Sequence, residues 1–412
     1  MTDCKRFIAS GLRRSTGGKL SATTGRIACA AVALSVAVMI VAVSVLGGFK
    51  SEIRRKATGF MGSVDLVMPG QSPVNELYPF SDSLSYKGRI LALPYVESVS
   101  PVAYRSGLIK TEDNIEGIFF KGVDSLYNLS FFGDCLREGS LPDLRGRISS
   151  DVLLSRRTAE RLGLKVGDAL VAYFIDEPVK VRKFTVSGLF DAGLDDVDTK
   201  FAVVDIRQVR RLNGWRADEA SSLEVRLKAS ADIDKAEAQI MDIEASFSAD
   251  SDQPLFVTSV KHIYGYLFDW LAVLDLNVLM ILVLMIVVSG FNMISSALIL
   301  LFEKISMIGL LKALGMTSSQ VGGVFLRRSA AVMGRGFIWG NAIGLGLCAL
   351  QKWLHVIKLD PANYFVSYVP IEFNLWQLLL LNVAAFALVL LIVSASSLFI
   401  SKVSPERTMR VD

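Results

Sequence analysis

The side chains that could carry out chemistry in this chain are few and widely spaced. Its 412 residues include two histidines, His262 and His355, and four cysteines that form no Cys-x-x-Cys pair. No His-Glu-x-x-His or Gly-x-Ser-x-Gly motif occurs, so the sequence indicates neither a metalloprotease nor a serine hydrolase. Both histidines lie near the ends of apolar segments, where a position at a membrane surface is expected. We therefore predict no catalytic residue and no metal site.

Two further motifs could bind a charged ligand, and both depart from the pattern that such binding needs. Asp191–Asp198 is the best metal candidate, but it lacks the alternating ligand spacing and the closing glutamate of a calcium loop. We expect a solvated surface loop there. Gly17-Gly18-Lys19-Leu20 is similar to a phosphate-binding loop, but Leu20 replaces the hydroxyl residue and Arg13 stands where the first glycine should be. The chain is therefore expected to bind no nucleotide.

The most informative stretch of the sequence is Asp275–Gly315. From Leu276 to Phe302 no residue is charged, a run longer than the roughly 20 apolar residues that span a bilayer core. A short segment follows and ends at Gly315, which can cap a helix because glycine tolerates the left-handed conformation. Thr317 and Gln320 then have the spacing of a capping box, which predicts that a new helix begins there.

The short segment carries apolar residues on two sides. Met307, Leu310, Leu311 and Leu314 share one side of a helix, whereas Ile305, Ile308 and Lys312 share another. An isolated surface helix buries a single stripe, so two stripes indicate two partners: the chain's own helices and a surface outside the chain. Gly309 would allow a neighbour to approach closely. The alternative is a helix that lies flat among the lipid headgroups.

Composition and charge place the chain in the membrane class. The sequence is 52% hydrophobic, and its mean hydropathy is +0.45. A formal net charge of +4 is too small to indicate a nucleic-acid partner. The apolar run Ile27–Phe49 is too long for a signal peptide, so it predicts a membrane anchor. Lys and Arg are dense before this run, around Glu303–Gly315 and in the carboxyl tail, which predicts that all three lie in the cytoplasm.

Between the first two apolar runs, the residues predict a folded α+β domain. Alternating or β-rich runs indicate strands at 62–68, 96–103, 117–123, 169–174, 179–188, 201–204, 222–227 and 255–258. Helices are predicted at 156–162, ended by Gly163, at 206–212, begun by Asp205 and ended by Gly214, and at 231–247.

The segment after Gln320 predicts a further membrane helix. Its uncharged run 336–351 is about 24 Å long as a helix, shorter than a bilayer core of about 30 Å, so the helix must begin before Arg335. Gly336, Gly340 and Gly344 recur at four-residue intervals, the small-xxx-small pattern that allows close packing of helices.

The stretch FNMISSALILLFEKISMIGLLKALGM, residues 291–316, resembles the coupling region of FtsX-type ABC transporter permeases, most closely the lipoprotein-releasing permeases LolC and LolE. The resemblance extends to 7–12, 45–49, 270–280 and 403–410. It implies a separate LolD-like ATPase, which would bind ATP and Mg²⁺, and no cofactor in this chain. It also implies a second, identical or different permease subunit. The residues expected to contact the ATPase are Glu303, Lys304, Ile305, Ile308, Gly309, Leu311 and Lys312.

The expected fold is a membrane protein of the inner membrane, with four transmembrane helices and a large MacB-like periplasmic α+β domain between helices 1 and 2. The expected segments are a cytoplasmic basic segment (1–26), helix 1 (27–50), the periplasmic domain (51–265), helix 2 (266–302), the coupling helix (303–316), helix 3 (317–351), a periplasmic loop (352–372), helix 4 (373–401) and a cytoplasmic tail (402–412). The domain is expected to divide into a membrane-proximal lobe (51–120 and 215–258) and a distal lobe (121–214).

The resemblance implies a permease that extracts acylated lipoproteins from the outer leaflet of the inner membrane for delivery toward the outer membrane. Acyl chains need an apolar receiving surface, expected at Val38, Val41, Val45, Phe49, Leu267, Trp270, Leu271 and Leu274. A periplasmic lipoprotein carrier is a further implied partner. However, the family's long carrier-binding hairpin is here a short turn within Tyr173–Phe184, which argues against carrier capture by this subunit.

The sequence is also compatible with two other functions. One is an FtsX- or MacB-like mechanotransmission permease that acts on an envelope hydrolase or an efflux duct. The other is a membrane-anchored sensor with no ATPase partner.

Overall fold

The computed structural model describes residues 19–111, 114–248, 254–303, 315–360 and 364–400. The described residues form two compact units. The helical unit comprises the described residues within Met1–Lys50, Leu271–Lys358 and Tyr368–Asp412. The α+β unit comprises those of Ser51–Trp270 and Leu359–Ser367. The basic segment 1–18, most of the coupling helix (304–314) and the tail from residue 401 lie outside the described residues.

The helices and strands follow each other in the order that the sequence pattern requires. The helices are α1 (Lys19–Met61), α2 (Lys87–Leu91), α3 (Ser130–Cys135), α4 (Arg156–Leu162), α5 (Asp195–Lys200), α6 (Ile206–Asn213), α7 (Ile233–Ser248), α8 (Val260–Ile263), α9 (Gly265–Glu303), α10 (Ser318–Leu354) and α11 (Leu375–Ile400). The strands are β1 (Val64–Val67), β2 (Phe80–Ser81), β3 (Val96–Lys110), β4 (Ile115–Val123), β5 (Leu136–Gly139), β6 (Asp151–Ser155), β7 (Ala169–Phe174), β8 (Lys180–Phe190), β9 (Phe201–Asp205), β10 (Glu219–Ala220), β11 (Ser222–Leu227) and β12 (Phe256–Ser259).

The helical unit is built from long apolar helices. Within the described residues, 25–61, 265–299 and 375–394 are long and apolar enough to cross a membrane. The α10 helix has 37 residues; it carries Arg327, Arg328 and Arg335 in its first half and the uncharged run in its second half. It therefore begins well before Arg335, as the length of the uncharged run requires.

The three glycines at four-residue intervals in α10 face α1. A Cβ atom on Gly336 would lie 2.8 Å from the Val32 side chain, and one on Gly340 would lie 2.7 Å from the Ala33 carbonyl oxygen. On Gly344 it would lie 3.1 Å from the Ala37 Cα atom. The two helix backbones are therefore so close that a side chain at these positions would push them apart.

A pair of asparagines joins α10 to α11. The Asn341 amide nitrogen donates to Asn382 Oδ1 at 2.7 Å, and the Asn382 amide nitrogen donates to Asn341 Oδ1 at 3.0 Å. Each amide also donates to the carbonyl oxygen four residues earlier in its own helix, Phe337 or Leu378. Both amide groups are thus hydrogen-bonded within the helical unit. An unpaired amide in such apolar surroundings would raise the free energy of the folded state.

The long strand β3 organises the α+β unit, because two sets of strands pair with it. Its first half pairs with β11, which continues through β1 to β12 in an antiparallel sheet. Its second half pairs with β4 on one edge and with β7 on the other. From β4 the ladder runs through β9, β6, β8 and β7 and returns to β3, so these six described strands close into a barrel.

The barrel encloses the main core of the α+β unit. Its interior side chains are fully or almost fully buried, and closure leaves these strands without an open edge. Outside the barrel, α7 packs near α2, where the Phe247 and Tyr86 rings lie 5.7 Å apart. The buried barrel residues include Ile109, Ile118, Phe120, Val152, Leu154, Phe174, Phe184, Val186 and Val204.

The predicted strands and helices of the domain are all present, within a few residues at their ends except at β3, which continues to Lys110. The predicted caps are also confirmed: Gly163 and Gly214 have φ of 67° and 72°, and the Asp205 carboxylate accepts from the Arg207 backbone N–H. The sequence pattern did not predict β2, β5, β6 or β10. Of these, β6 is a short run buried on both faces, and such a run has no alternation to identify it.

Candidate functional site

The flanks of the coupling segment are described, although most of its own residues are not. Lys304, Ile305, Ile308, Gly309, Leu311 and Lys312 lie outside the described residues, and Glu303 is the last residue of α9. Gly315 has φ of 95°, as expected for a left-handed cap. Thr317 Oγ1 accepts from the Gln320 N–H, and Gln320 Oε1 accepts from the Thr317 N–H, so the predicted capping box is confirmed. Contact with an ATPase stays a prediction.

The residues expected to face lipid or lipoprotein have different environments in the single chain. Phe49, Leu267 and Leu271 are buried, whereas Val38, Val41, Val45, Trp270 and Leu274 are half-buried. Leu267 and Trp270 belong to the α+β unit, and the other six belong to the helical unit.

A long exposed apolar surface lies farther along α9. Only 6% of the most apolar 18-residue stretch of this helix is buried. The side chains of Leu276, Met280 and Phe291 are more than half exposed. A helix that is apolar on all sides is stable only against lipid or another protein. The uninterrupted apolar run from Leu276 to Phe302 was the sequence signal for this surface.

The acidic stretch is not the solvated loop that the sequence led us to expect. Its last four positions begin the helix α5, and Asp198 is only 4% exposed. The Asp198 carboxylate accepts from the backbone N–H groups of Ala192 and Leu194, at 3.0 and 3.2 Å. Burial raises the pKa of Asp198, and these N–H donors oppose that shift. The carboxylate therefore holds residues 191–198, here called the acidic turn, in a folded shape.

No group of three or more metal-ligating side chains was found among the described residues. In the acidic turn, Asp195 pairs with Arg157, and Asp196 pairs with Lys200. These carboxylates thus have protein partners, and Asp198 is oriented toward its own backbone.

A buried ionic cluster, which the sequence did not indicate, lies where α1 ends. Lys121 Nζ lies 2.7 Å from Glu224 Oε1, and both side chains are almost completely buried. The ammonium also donates to the Phe60 carbonyl oxygen and to the Tyr127 hydroxyl. Arg226 donates to the Gly59 carbonyl oxygen at 3.2 Å. Two cations therefore bond the last carbonyl groups of α1, where the helix dipole favours positive charge.

A second buried carboxylate, that of Asp65, lies beside this cluster. It faces Glu224 across the β1–β11 ladder, and within the described residues neither of its carboxylate oxygens has a partner. Burial raises the pKa of Asp65 well above its usual range, Glu224 adds to the shift, and Lys121 opposes it. Burial also lowers the pKa of Lys121, against the effect of Glu224. The shift therefore favours the protonated form of Asp65.

The hairpin between β7 and β8 is short, as the sequence predicts. Its two strands are joined by residues 175–179. Arg105 fixes this connection, because its guanidinium donates to the Ile175 carbonyl oxygen at 3.1 Å and pairs with Asp176 at 3.1 Å. Ile175 and Val179 remain more than half exposed.

Comparisons with known proteins match both parts of the chain. A family model of the MacB-like periplasmic core domain matches residues 27–243, and one of the FtsX-like permease C-terminal region matches residues 279–405. The lipoprotein-releasing system transmembrane protein LolC of Neisseria meningitidis serogroup B is 24% identical over 407 residues, covering 94% of each chain. LolE of Haemophilus influenzae is 21% identical over 396 residues, covering 90% of each. Among solved structures, the periplasmic region of MacB from Actinobacillus actinomycetemcomitans aligns with a TM-score of 0.35 at 14% identity, covering 50% of this chain and 91% of that one.

Proposed function

The chain belongs to the FtsX-like permeases that carry a MacB-like periplasmic core domain, and from this membership we propose that it is the permease subunit of a lipoprotein-releasing ABC transporter. It is a multi-pass membrane protein with its α+β unit in the periplasm. The family consists of transmembrane subunits without a catalytic domain, and FtsX-like permeases pair with an ABC ATPase. The observation that carries the proposal is the similarity to LolC and LolE over 90% or more of both chains.

In this proposal, a separate LolD-like ATPase binds ATP and Mg²⁺, and this chain holds no cofactor. Closure of the ATPase would push on the coupling residues from Glu303 to Lys312. The membrane helices would pass that movement to the periplasmic domain. The described flanks support this assignment, because Gly315 and the Thr317 capping box separate the segment from α10.

The proposed substrate is an acylated lipoprotein in the outer leaflet of the inner membrane. Each methylene taken out of lipid costs about 0.8 kcal/mol, so extraction requires both an apolar receiving surface and coupled energy. We assign the receiving surface to half-buried side chains of the helical unit, those of Val38, Val41 and Val45 in α1 and Leu274 in α9, together with a second permease subunit. The exposed apolar side chains of α9 support a partner or lipid on this helix.

The short β7–β8 hairpin bears on delivery of the substrate. Residues 175–179 offer little length with which to hold a soluble carrier protein. We therefore propose that a periplasmic lipoprotein carrier, if the system uses one, binds a different permease subunit of the complex.

Capture of the intact complex from native membranes tests the proposal. We expect an ABC ATPase, a second permease copy or homologue, and acylated lipoproteins identified by mass spectrometry. The reconstituted complex should then release lipoprotein from proteoliposomes only when ATP is present. A complex that holds the ATPase with an envelope hydrolase or an efflux duct, and no acylated protein, would favour mechanotransmission. Capture without any ATPase would contradict both and favour the sensor alternative.

A further inference from the structure

A lysine near the end of α1 contacts two segments that are distant in the sequence. Lys56 is only 8% exposed. Its ammonium donates to the Phe365 carbonyl oxygen at 2.8 Å and lies 3.5 Å from the Gly193 carbonyl oxygen. Phe365 belongs to residues 359–367, here called the connector, which lie between α10 and α11 and of which the structure describes 359–360 and 364–367. Gly193 belongs to the acidic turn. One ammonium thus joins the end of α1, the connector and the acidic turn.

The acidic turn is shaped to accept this ammonium. Gly193 has φ of 64°, and a Cβ atom there would lie 2.5 Å from Lys56 Nζ. Any other residue would be strained and would also collide with the lysine. Asp198, which accepts from the N–H groups on both sides of Gly193, holds this part of the turn in place. These two hydrogen bonds therefore fix the part of the turn that presents the Gly193 carbonyl oxygen to Lys56.

The ends of the connector bond each other, and Phe365 has further contacts within the α+β unit. The Leu359 N–H donates to the Ser367 carbonyl oxygen at 3.0 Å. The Phe365 ring lies 6.4 Å from the Tyr266 ring and 6.1 Å from the Trp270 ring. The Tyr266 hydroxyl in turn donates to Asp196 of the acidic turn, at 3.3 Å. The first turns of α9 therefore also meet the acidic turn and the connector.

The volume of the Lys56 side chain alone does not explain a lysine at this buried position. Transfer of an ammonium from water to a buried site is costly unless hydrogen bonds and nearby charges compensate. An apolar side chain would fill the same space at lower cost, but it could not bond two carbonyl oxygens of separate segments. The two carbonyl oxygens that it bonds therefore explain why a cation, and not an apolar side chain, occupies position 56.

We propose that Lys56 is a positioning residue that locks the connector and the acidic turn to the end of α1. Because the connector is covalently continuous with α10 and α11, a displacement of either helix reaches the acidic turn through the contact between Lys56 and Phe365. The same contact ties the connector to the helix that begins in the membrane and ends in the α+β unit. This role is independent of the substrate class.

Hydrogen–deuterium exchange of the full chain in lipid nanodiscs tests the lock. Lys56→Met should increase amide exchange in both 359–367 and 191–198 by about tenfold, the order expected for the loss of a hydrogen bond from a charged donor. Lys56→Arg should restore slow exchange, because a guanidinium can still donate to both carbonyl oxygens. The matched control is Lys50→Met, which removes a half-exposed lysine of the same helix that pairs with Asp275. It should leave both segments unchanged.

A second variant approaches the same contact from the acidic turn. Gly193→Ala should reproduce the paired increase in 191–198 and 359–367 while Lys56 is intact. Unchanged exchange in Lys56→Met would overturn the proposal. So would an increase that extends equally through the barrel strands, because it would indicate global destabilisation. These outcomes do not depend on lipoprotein release, so the lock and the proposed function can fail separately.

Discussion

At the residue scale, we expect the stability of the α+β unit to depend on the Lys121 ammonium. It is the buried countercharge of Glu224, and it bonds the Phe60 carbonyl oxygen at the end of α1. Its Nζ also lies 4.6 Å from the centre of the Phe60 ring, within the range of a cation–π interaction. Removal of one partner from a buried ion pair leaves an uncompensated charge, which costs far more than the pair itself contributes.

Lys121→Met should therefore destabilise the protein by about 3–5 kcal/mol in the free energy of unfolding, because Glu224 would be left buried without its cation. The measurement is denaturant unfolding of the purified chain in detergent, followed by near-ultraviolet circular dichroism. Lys121→Met combined with Glu224→Met should recover much of the loss. Additive losses in this double variant would contradict the account. As a control, Arg156→Ala breaks an exposed 2.8 Å pair with Glu160 and should leave stability unchanged.

Asp65 should make stability depend on pH. Its pKa is raised in the native state, so it keeps its proton at pH values where an unfolded aspartate, with a pKa of about 3.9, has lost it. Its contribution to stability is therefore greatest below about pH 4 and declines as pH rises toward the native pKa. Glu224 and Lys121 are the neighbours whose charges act on Asp65, and the Asp65 charge in turn raises the pKa of Tyr104 and Tyr264.

The test replaces Asp65 with a neutral side chain of the same shape. Relative to the wild type, Asp65→Asn should gain stability progressively as pH increases from about 4, because the decline is removed. Unfolding of both proteins at a series of pH values between 4 and 8 gives the comparison. Parallel stability profiles would show that Asp65 ionises normally in the folded chain.

At the element scale, the packing of α10 on α1 is set by glycines. Gly340→Leu should separate the two helices, because its Cβ atom would lie 2.7 Å from the Ala33 carbonyl oxygen. Gly346→Leu is the matched control in the same helix, since no other described residue has an atom within 4 Å of its Cβ position. We expect lower membrane levels and a lower unfolding temperature for the first variant alone. Equal behaviour of the two would exclude close packing at Gly340.

The asparagine pair between α10 and α11 gives a second prediction at this scale. Asn341→Leu leaves the Asn382 amide without its partner and should destabilise the helical unit by about 1 kcal/mol, within the range measured for hydrogen bonds between membrane helices. The double variant Asn341→Leu and Asn382→Leu should be closer to the wild type, because no unpaired amide remains. A double-mutant cycle in detergent measures the coupling. A coupling energy of zero would show that the two amides act independently.

At the scale of the whole molecule, the chain must connect a membrane part with a periplasmic part and a separate ATPase. The 43-residue helix α1 is continuous, and its residues are divided between the helical unit and the α+β unit. The connector is likewise part of the α+β unit although it joins two helices of the helical unit. The chain therefore passes between the two units through α1, α9 and both ends of the connector.

The coupling segment carries the prediction for the assembled complex. Gly309→Trp or Ile308→Asp should abolish co-purification of the ATPase, because a bulky ring or a desolvated charge would enter the predicted contact. Membrane levels should stay normal, since neither position is in a membrane-spanning run. Gly346→Trp adds the same ring at a position where the described part of the chain leaves the Cβ site free within 4 Å, and it should leave the complex intact. A helix lying in the headgroups would instead tolerate Gly309→Trp, since tryptophan favours the interface.

Membrane class, most strands of the domain and the helix caps could be predicted from the sequence, because each depends on residues close together in the chain. An apolar run reports its length directly, and strand alternation repeats every two residues. A cap needs only its own residue and the next turn, as at Gly163, Gly214 and Thr317. The resemblance in residues 291–316 is of the same kind, since it lies in one continuous segment that the FtsX-like family model also covers.

Only the tertiary structure could decide which polar side chains are buried and what they join. Lys56 and its acceptor Phe365 are 309 residues apart, and Lys121 meets both the end of α1 and β11. The residues next to a lysine in the sequence do not show whether its side chain is solvated or paired in a core. Closure of the barrel by β7 and the inward turn of Asp198 likewise depend on partners from distant segments. The local sequence pattern was sufficient to predict most helices and strands of this protein. Which of them the buried charged side chains join depends on contacts between residues far apart in the sequence.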